Sequence, residues 1–550
     1  MAGLGDPVSG AYFFNRKTEL ELLTRRVDSF LTENERRNIA LIGLRKIGKS
    51  SILEELIKRN SGKKCLFIPI YLPESGLEDF TQRVVGSIVI NALTKNNEKI
   101  DAGLTIQQVI IRLTKYYPET AAWLTTVILN TLENGKVVSL KTILSAFDVF
   151  QKESKLALIV ILDEFQRLTE YDLKAPIDTF REFIMKQNEI LFIVSGSSVG
   201  MLNQIIQSSE SPLFGHIERV PIGPFNFESS VELVNKKLNL YSINQTEIGF
   251  LYELTNGNPY YLDILTFRIK DLMKENRITA ISNELFIRAI TFEMFTAGGA
   301  IYSHLSALLE VSLEKRGFGT YIEILKAIAN GNSRVSDISK ESGVELTSLP
   351  RYMKRLVELE LIARDEIPGE RGAEYHFVDN LLELWLKEVY MLRENPLMSG
   401  LETKKKQFEE RISKILSEYK REIGTGNEAR VRELFRLLDG RDKIHGKSIP
   451  RFEKVDSFDD GKCEIDILAK INDKIWVGEV SDSKVSMAEI NHFEKKLEES
   501  KISYTDKFYV ALQGIDDKCL KYCKENEILV LTKEGTNELL KKYKKRRILL

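Results

Sequence analysis

Four cysteines in 550 residues are too few for a disulfide framework, which points to a reducing, cytoplasmic compartment. Cys519 and Cys523 lie four apart on a helical stretch. With no second pair near them, two packed thiols are expected there rather than a metal site. An excess of one charge is lacking too: 79 basic residues against 80 acidic leave a net charge of -1. That excludes a global electrostatic demand for nucleic acid or membrane, so any basic surface must be local. Long apolar runs are absent. The longest, "LALIVIL" at 156–162, falls far short of the ~20 residues a membrane helix needs. Asp6 stands where a secretory signal would be apolar. There are no sequence repeats, and the one biased segment is the basic tail "KKYKKRRILL" at 541–550. What is plentiful is apolar side chains, 43% of the residues, on a chain long enough for about three or four domains. A soluble cytoplasmic protein with no membrane partner is expected.

The segment "RRNIALIGLRKIGKSSILEELI" (36–57) reads as a buried strand, a glycine turn and a helix. That context gives G-x-x-x-x-G-K-[ST] a mechanism. Gly43 and Gly48 permit backbone conformations that turn N–H groups toward phosphate oxygens. The helix starting near Lys49 adds its positive end. Lys49 reaches the β- and γ-phosphates, and Ser50 offers a hydroxyl to Mg²⁺. Arg45 and Ser51, the other polar members of the loop, are read as further nucleotide contacts. The ligand expected is ATP with Mg²⁺. The partner motif is "LALIVILDEFQRL", an apolar strand suited to the centre of a parallel sheet. Asp163 at its end would hold Mg²⁺ through water, and Glu164 would polarise the attacking water. A third strand, "ILFIVSGSS" (190–198), ends where a γ-phosphate sensor belongs, Ser197 or Ser195. "CLFIPIYL" (65–72) is a further strand, and the helical stretch 76–150 exceeds a simple crossover.

In order, "YFFNRKTELELL" (12–23), "GLRKIGKSS" (43–51), "VILDEFQRL" (160–168), "VSGSSVGML" (194–202) and "LTNGNPYYL" (254–262) resemble the archaeal ATPase family of the STAND branch. These are relatives of AAA+ proteins such as the origin-recognition initiators. The resemblance spans roughly 10–390. It implies a nucleotide switch made of an ATPase domain, a helical lid and a winged helix. It places Phe14, Asn15 and Arg16 near the adenine and brings the lid over the nucleotide at Pro259. Two positions depart from the family pattern. Lys17 stands where an acidic residue often follows the arginine. In "PLFGHIERV" (212–220), His216 takes the place of an arginine, which leaves Arg219 as the γ-phosphate contact.

Residues 321–378 read as three helices and a β-wing, with Gly343 in a helix–turn–helix and "PGERG" at the wing's turn. The second helix of that motif carries Arg351, Lys354 and Arg355, cations suited to phosphates of duplex DNA, with Thr347 and Ser348 before them. Glu358 and Glu360 cut the basic stripe short. The other reading is a module that packs on the ATPase domain and leaves a solvated charged face.

After a charged helix ending in "GTG" (424–426) comes a new pattern: a helix with Glu428, a strand with Asp466, and "IWVGEV" with Glu479. It resembles the PD-(D/E)XK nuclease superfamily over about 423–535. There, paired acids hold a divalent metal that activates water. Ser481 stands where that family's lysine belongs, and Lys484, Lys495 or Lys496 would have to replace it. The alternative is an inactive domain that docks a protein partner. The fold expected is α/β. A P-loop parallel sheet at 1–222 is followed by a helical lid at 223–300, a winged helix at 301–390, a helical linker at 391–426, and a restriction-endonuclease-like domain at 427–550. The functions weighed are an ATP-hydrolysing switch, a DNA-directed enzyme whose ATPase gates a nuclease, and a nucleotide-bound adaptor.

Overall fold

The computed structural model describes residues 7–100, 103–128, 138–313, 317–366, 372–394, 400–444, 447–459 and 463–543. Its described residues pack as two compact units. One is Met1–Ser242 with Leu251–Phe408, the other Ile243–Phe250 with Glu409–Leu550.

The first unit opens with α1 (Lys17–Glu33), β1 (Asn38–Ile42), α2 (Lys49–Asn60) and β2 (Cys65–Tyr71). Four helices follow: α3 (Leu77–Lys95), α4 (Ile106–Leu113), α5 (Pro118–Ile128) and α6 (Leu140–Ser154). Then come β3 (Ala157–Asp163), α7 (Pro176–Lys186), β4 (Ile190–Gly196), α8 (Val199–Gln207) and β5 (Ile217–Pro221). The five strands form one parallel sheet in the order β2-β3-β4-β1-β5. β1, β3 and β4 read as apolar runs because both of their faces are covered. Ile39, Leu41, Ile159, Ile161 and Leu191 meet Leu20, Leu23, Val27 and Leu56 of α1 and α2. On the opposite face Ala40, Val160, Phe192 and Val194 meet Phe80, Ile88, Phe147 and Phe150 of the helical insertion. Such buried side chains each contribute roughly 1.5–3 kcal/mol of transfer free energy.

Helices α9 (Phe227–Lys237), α10 (Gln245–Thr255), α11 (Pro259–Glu275), α12 (Asn283–Phe295) and α13 (Ala300–Ser312) come next. A helix–hairpin module follows: α14 (Phe318–Ala329), α15 (Val335–Ser342), α16 (Leu349–Glu358), β6 (Ile362–Glu366) and β7 (Ala373–Phe377). Gly343 closes α15 with φ +69°, which supplies the left-handed turn that glycine favours. Most of the "PGERG" stretch, 368–371, lies outside the described residues. Helices α17 (Asn380–Trp385) and α18 (Met391–Glu394) are joined by a π turn at Leu386–Tyr390.

Helix α19 runs unbroken from Leu401 to Leu437. The helix end expected at 424–426 is therefore not there. A glycine inside a helix costs only about 1 kcal/mol against alanine. Beyond it, Val431, Leu434 and Phe435 anchor the helix in an apolar core. The second unit continues with β8 (Lys443–Ile444), β9 (Lys447–Ser448), β10 (Lys454–Asp459), β11 (Glu464–Ile471), β12 (Lys474–Ser481), α20 (Met487–Ser500), β13 (Asp506–Ala511), α21 (Asp517–Glu525), β14 (Ile528–Thr532) and α22 (Lys533–Lys542). Its five-stranded sheet has the order β10-β11-β12-β13-β14, antiparallel from β10 to β12 and parallel from β12 to β14. Cys519 and Cys523 are buried free thiols on α21. Of the basic tail, 544–550 lie outside the described residues. Among the described residues no helix is long and apolar enough to cross a membrane.

Candidate functional site

The turn between β1 and α2 is built by close approach and by left-handed backbone. A β-carbon on Gly43 would lie 2.3 Å from the Ile222 carbonyl oxygen, so that glycine is required for packing. Gly48 takes φ +99° and Lys46 φ +60°, which aim the loop's amides inward. Lys49 is buried, and its Nζ donates to the carbonyls of Gly43 at 2.6 Å and Leu44 at 2.9 Å. Burial lowers its pKa, against the opposing pull of Glu164, Asp163 and Glu360.

Parallel register carries the other groups to the same edge. β3 pairs with β4 up to Leu162 opposite Val194, and β4 pairs with β1 with Gly196 opposite Ile42. Asp163 thus accepts hydrogen bonds from Ser50 Oγ at 3.4 Å and from Ser195 Oγ. Glu164, in a left-handed conformation at φ +56°, accepts from Gln166 Nε2 at 2.6 Å and from Ser197 Oγ at 2.8 Å. Burial works to raise its carboxyl, but these bonds and Lys49 outweigh it and leave the pKa below its ordinary value. Ser197 Oγ also receives Arg45 Nε at 3.4 Å.

Arg16, which the resemblance places near the adenine, is buried against the loop. Its Nη2 donates to the carbonyls of Ile47 at 3.0 Å and Gly223 at 2.6 Å, and its guanidinium lies 4.7 Å from the Phe225 ring centre. Glu19 pairs with it at 3.1 Å, supplying the acid that Lys17 does not. Asn15 accepts the Arg16 N–H, and Phe14 packs edge-on to Phe225 at 6.0 Å. Ser51 Oγ accepts the Val8 N–H at 3.0 Å.

A cleft of about 560 Å³ opens beside the loop, lined by Leu44, Arg45, Ser197, Asn258, His304 and Glu360 among others. Pro259 begins α11, which Asn258 caps by accepting the Tyr260 N–H. Lys46 Nζ sits 5.1 Å from the Tyr260 ring centre. His304 packs edge-on to Tyr260 and tilted against Tyr261, and burial with nearby Lys46 and Arg45 pushes its pKa down to about 4.

One expectation is corrected. Arg219 is exposed on the edge strand β5, opposite Ala40, with Gln207 as its hydrogen-bond partner at 3.5 Å, so it is not brought to the loop. Arg351 and Lys354 are exposed on α16. Arg355, one turn beyond Arg351, is partly exposed, borders the cleft and lies 3.4 Å from Glu358. Glu360, read from sequence only as an interruption of the basic stripe, lies in the cleft.

The second unit carries its own acidic site. Glu428, Glu464 and Asp466 bring carboxylate oxygens within 4.8 Å of one another. Asp466 is buried, and its Oδ2 accepts the Val480 N–H at 2.8 Å. Glu479 lies beside them, paired with Lys496 of α20. Burial and the Asp466 charge push both Glu428 and Glu479 up to about 7. Of the three candidate lysines, Lys496 is the one at the acids. Lys484 pairs with Asp516 at 2.5 Å and Lys495 with Glu499 at 3.6 Å. Ser481 bonds within its own turn, to Ser483. Glu464 was missed in the sequence, although it stands two residues before Asp466 on a strand and so shares its face.

Residues 13–265 match the family model of an ATPase domain predominantly from Archaea. An uncharacterised protein of Methanocaldococcus jannaschii, MJECL04, is 25% identical over 369 residues, covering 65% of this chain and 73% of that protein. The Walker-type ATPase PABY2304 of Pyrococcus abyssi aligns over 70% of this chain and 99% of its own, with 22% identity and a TM-score of 0.49. The ORC2 protein of Aeropyrum pernix aligns over 74% and 98%, with 13% identity and a TM-score of 0.44. Residues 13–265 of this chain are thus similar to an ATPase domain found predominantly in Archaea.

Proposed function

We propose that the protein is a Mg²⁺-dependent switch of the archaeal STAND type that binds and hydrolyses ATP, with a helical lid at 223–300 and a winged helix at 301–390. The observation that carries this is the convergence of Lys49, Ser50, Asp163, Glu164, Ser195 and Ser197 on one edge of a parallel sheet. Lys49 would exchange its two loop carbonyls for phosphate oxygens. Ser50 and Asp163 present hard oxygen donors 3.4 Å apart, the chemistry Mg²⁺ takes. Bound there, the ion would neutralise phosphate charge. Glu164, kept ionised, accepts a hydrogen from the attacking water. Ser195 and Ser197 hold the two carboxylates in place. Arg45, whose Nε donates to Ser197 Oγ at 3.4 Å, takes the role of the γ-phosphate-contacting arginine in place of Arg219. Lys49→Ala should abolish binding of a fluorescent ATP analogue. Glu164→Gln should keep binding and slow turnover by roughly 10²–10⁴-fold. Wild-type turnover no faster than that of Glu164→Gln would leave a nucleotide-bound adaptor.

A second reading rests on the acidic site of the second unit. Glu428, Asp466 and Glu479, with Lys496 in the role of the missing lysine, have the donor set of a metal-dependent nuclease of the PD-(D/E)XK type. Glu464 adds a fourth oxygen donor. Duplex DNA would be the substrate, with Arg351, Lys354 and Arg355 as phosphate contacts. Metal ligation requires deprotonated carboxylates. Plasmid nicking with Mn²⁺ should therefore rise between pH 6 and 8 and vanish in Asp466→Ala. Nicking that persists in that variant places the activity elsewhere.

A further inference from the structure

The turn after α16 brings a carboxylate from the helix–hairpin module to the phosphate loop. Glu360 Oε1 accepts the Gly200 N–H at 2.7 Å, across 160 residues of sequence, and the neighbouring Val199 N–H also favours the charged carboxylate. These are the first amides of α8, which the helix itself leaves unsatisfied. Ser198, placed to cap them, makes no capping bond. Glu360 shares the cleft with Arg45 and Ser197; burial raises its pKa, and the α8 amides and the charges of Lys49 and Arg45 oppose that rise.

The backbone at this position carries a cost. Glu360 has φ +59°, its N–H bonds the Val357 carbonyl, and the Leu361 N–H bonds the Leu356 carbonyl. This is the helix-ending turn in which glycine is usual. Keeping a β-carbon there is unfavourable by roughly 1–2 kcal/mol. An acid stands where glycine would be relaxed, and its carboxylate lies in the cleft that Arg45 also lines.

We propose that Glu360 is an anionic latch that holds the helix–hairpin module against the ATPase domain until the γ-phosphate of ATP displaces it. This rests on the reading of the loop as an ATP site. A γ-phosphate near Lys49 and Arg45 competes for the charges that favour ionised Glu360 and repels its carboxylate. ADP lacks that group and leaves the latch engaged. ATP thereby frees the α8 amides and the module together, and the latch costs ATP affinity relative to ADP.

The test is equilibrium binding of ADP and a non-hydrolysable ATP analogue to the full chain, with amide hydrogen exchange at Val199 and Gly200. Glu360→Gln keeps the shape and removes the charge. Glu360→Gly removes the carboxylate and relieves the turn. Both are expected to shift the ratio of ATP-analogue to ADP affinity toward ATP by at least about fivefold. In wild type the two amides should exchange faster with the ATP analogue than with ADP. An unchanged affinity ratio, or equal exchange in the two nucleotide states, would overturn the latch while leaving the ATP site intact. Wild type that binds neither nucleotide, or Lys49→Ala that binds both normally, would overturn the ATP site and the latch with it.

Discussion

His304 shows how the cleft's charges act on one side chain. It lies near Lys46 and Arg45 and packs against the rings of Tyr260 and Tyr261, and its folded-state pKa falls from 6.5 to about 4. The folded chain therefore refuses a proton that the unfolded chain accepts. The stability this gives is fully present above pH 6.5 and is lost as pH falls through 4, by about 3 kcal/mol. Burial raises the pKa of Glu360 and Asp379 in the same unit, which works in the opposite direction, so the informative quantity is a difference. Denaturant unfolding of wild type and His304→Gln at pH 7.5 and pH 4 should show a pH effect on the first unit smaller by about 3 kcal/mol in the variant. An identical pH effect in both would deny His304 this role. At this scale the sequence was readable where chemistry is contiguous: Lys49, Ser50, Asp163 and Glu164 follow strands whose ends are evident. It was not readable where a side chain reaches across the chain. Arg16 ties the loop to Gly223, 207 residues on, a bond that its sequence neighbours do not foretell. Nothing near Glu360 in sequence announces α8. Lys495 and Lys496 are equivalent until the phase of α20 against β12 is known.

Among elements, β1, β3 and β4 of the first sheet were legible because doubly covered strands read as apolar runs. The end of a helix at "GTG" was misread because intrinsic propensity is weaker than the packing that flanks it. Two glycines of the second unit make this quantitative. Gly426 lies within α19 with nothing within 4 Å of an added β-carbon. Gly426→Ala should stabilise by up to about 1 kcal/mol through helix propensity and loss of unfolded-state freedom. Gly478 lies on β12, paired with Phe508 of β13, where an added β-carbon would meet the Phe508 ring at 2.3 Å. That ring is stacked on Phe435 of α19 at 4.5 Å and is buried, so it cannot retreat cheaply. Gly478→Ala should destabilise by about 1–3 kcal/mol through overpacking. Thermal unfolding of both variants would check the pair. Shifts of the same sign would mean that local space does not decide the outcome.

The whole chain holds two units with separate apolar cores. Phe80, Phe147 and Phe192 belong to the first unit's, and Phe435, Phe493 and Phe508 to the second's. A chain of this kind need not unfold in one step. Ligands supply the means of assigning the steps. A ligand that binds only the folded form stabilises it by about 2.7 kcal/mol at a hundred times its dissociation constant. Mg²⁺ with a non-hydrolysable ATP analogue should therefore raise the transition of the unit that contains Lys49. Mn²⁺ alone should raise that of the unit that contains Asp466, because Glu428, Glu464 and Asp466 lie there. Lys49→Ala should cancel the first shift and leave the second, and Asp466→Ala should do the reverse. Scanning calorimetry on the intact chain reads all four combinations. Nucleotide and Mn²⁺ shifts that both vanish in one variant would show that a single site binds both, and the assignment of separate chemistry to the two units would fall.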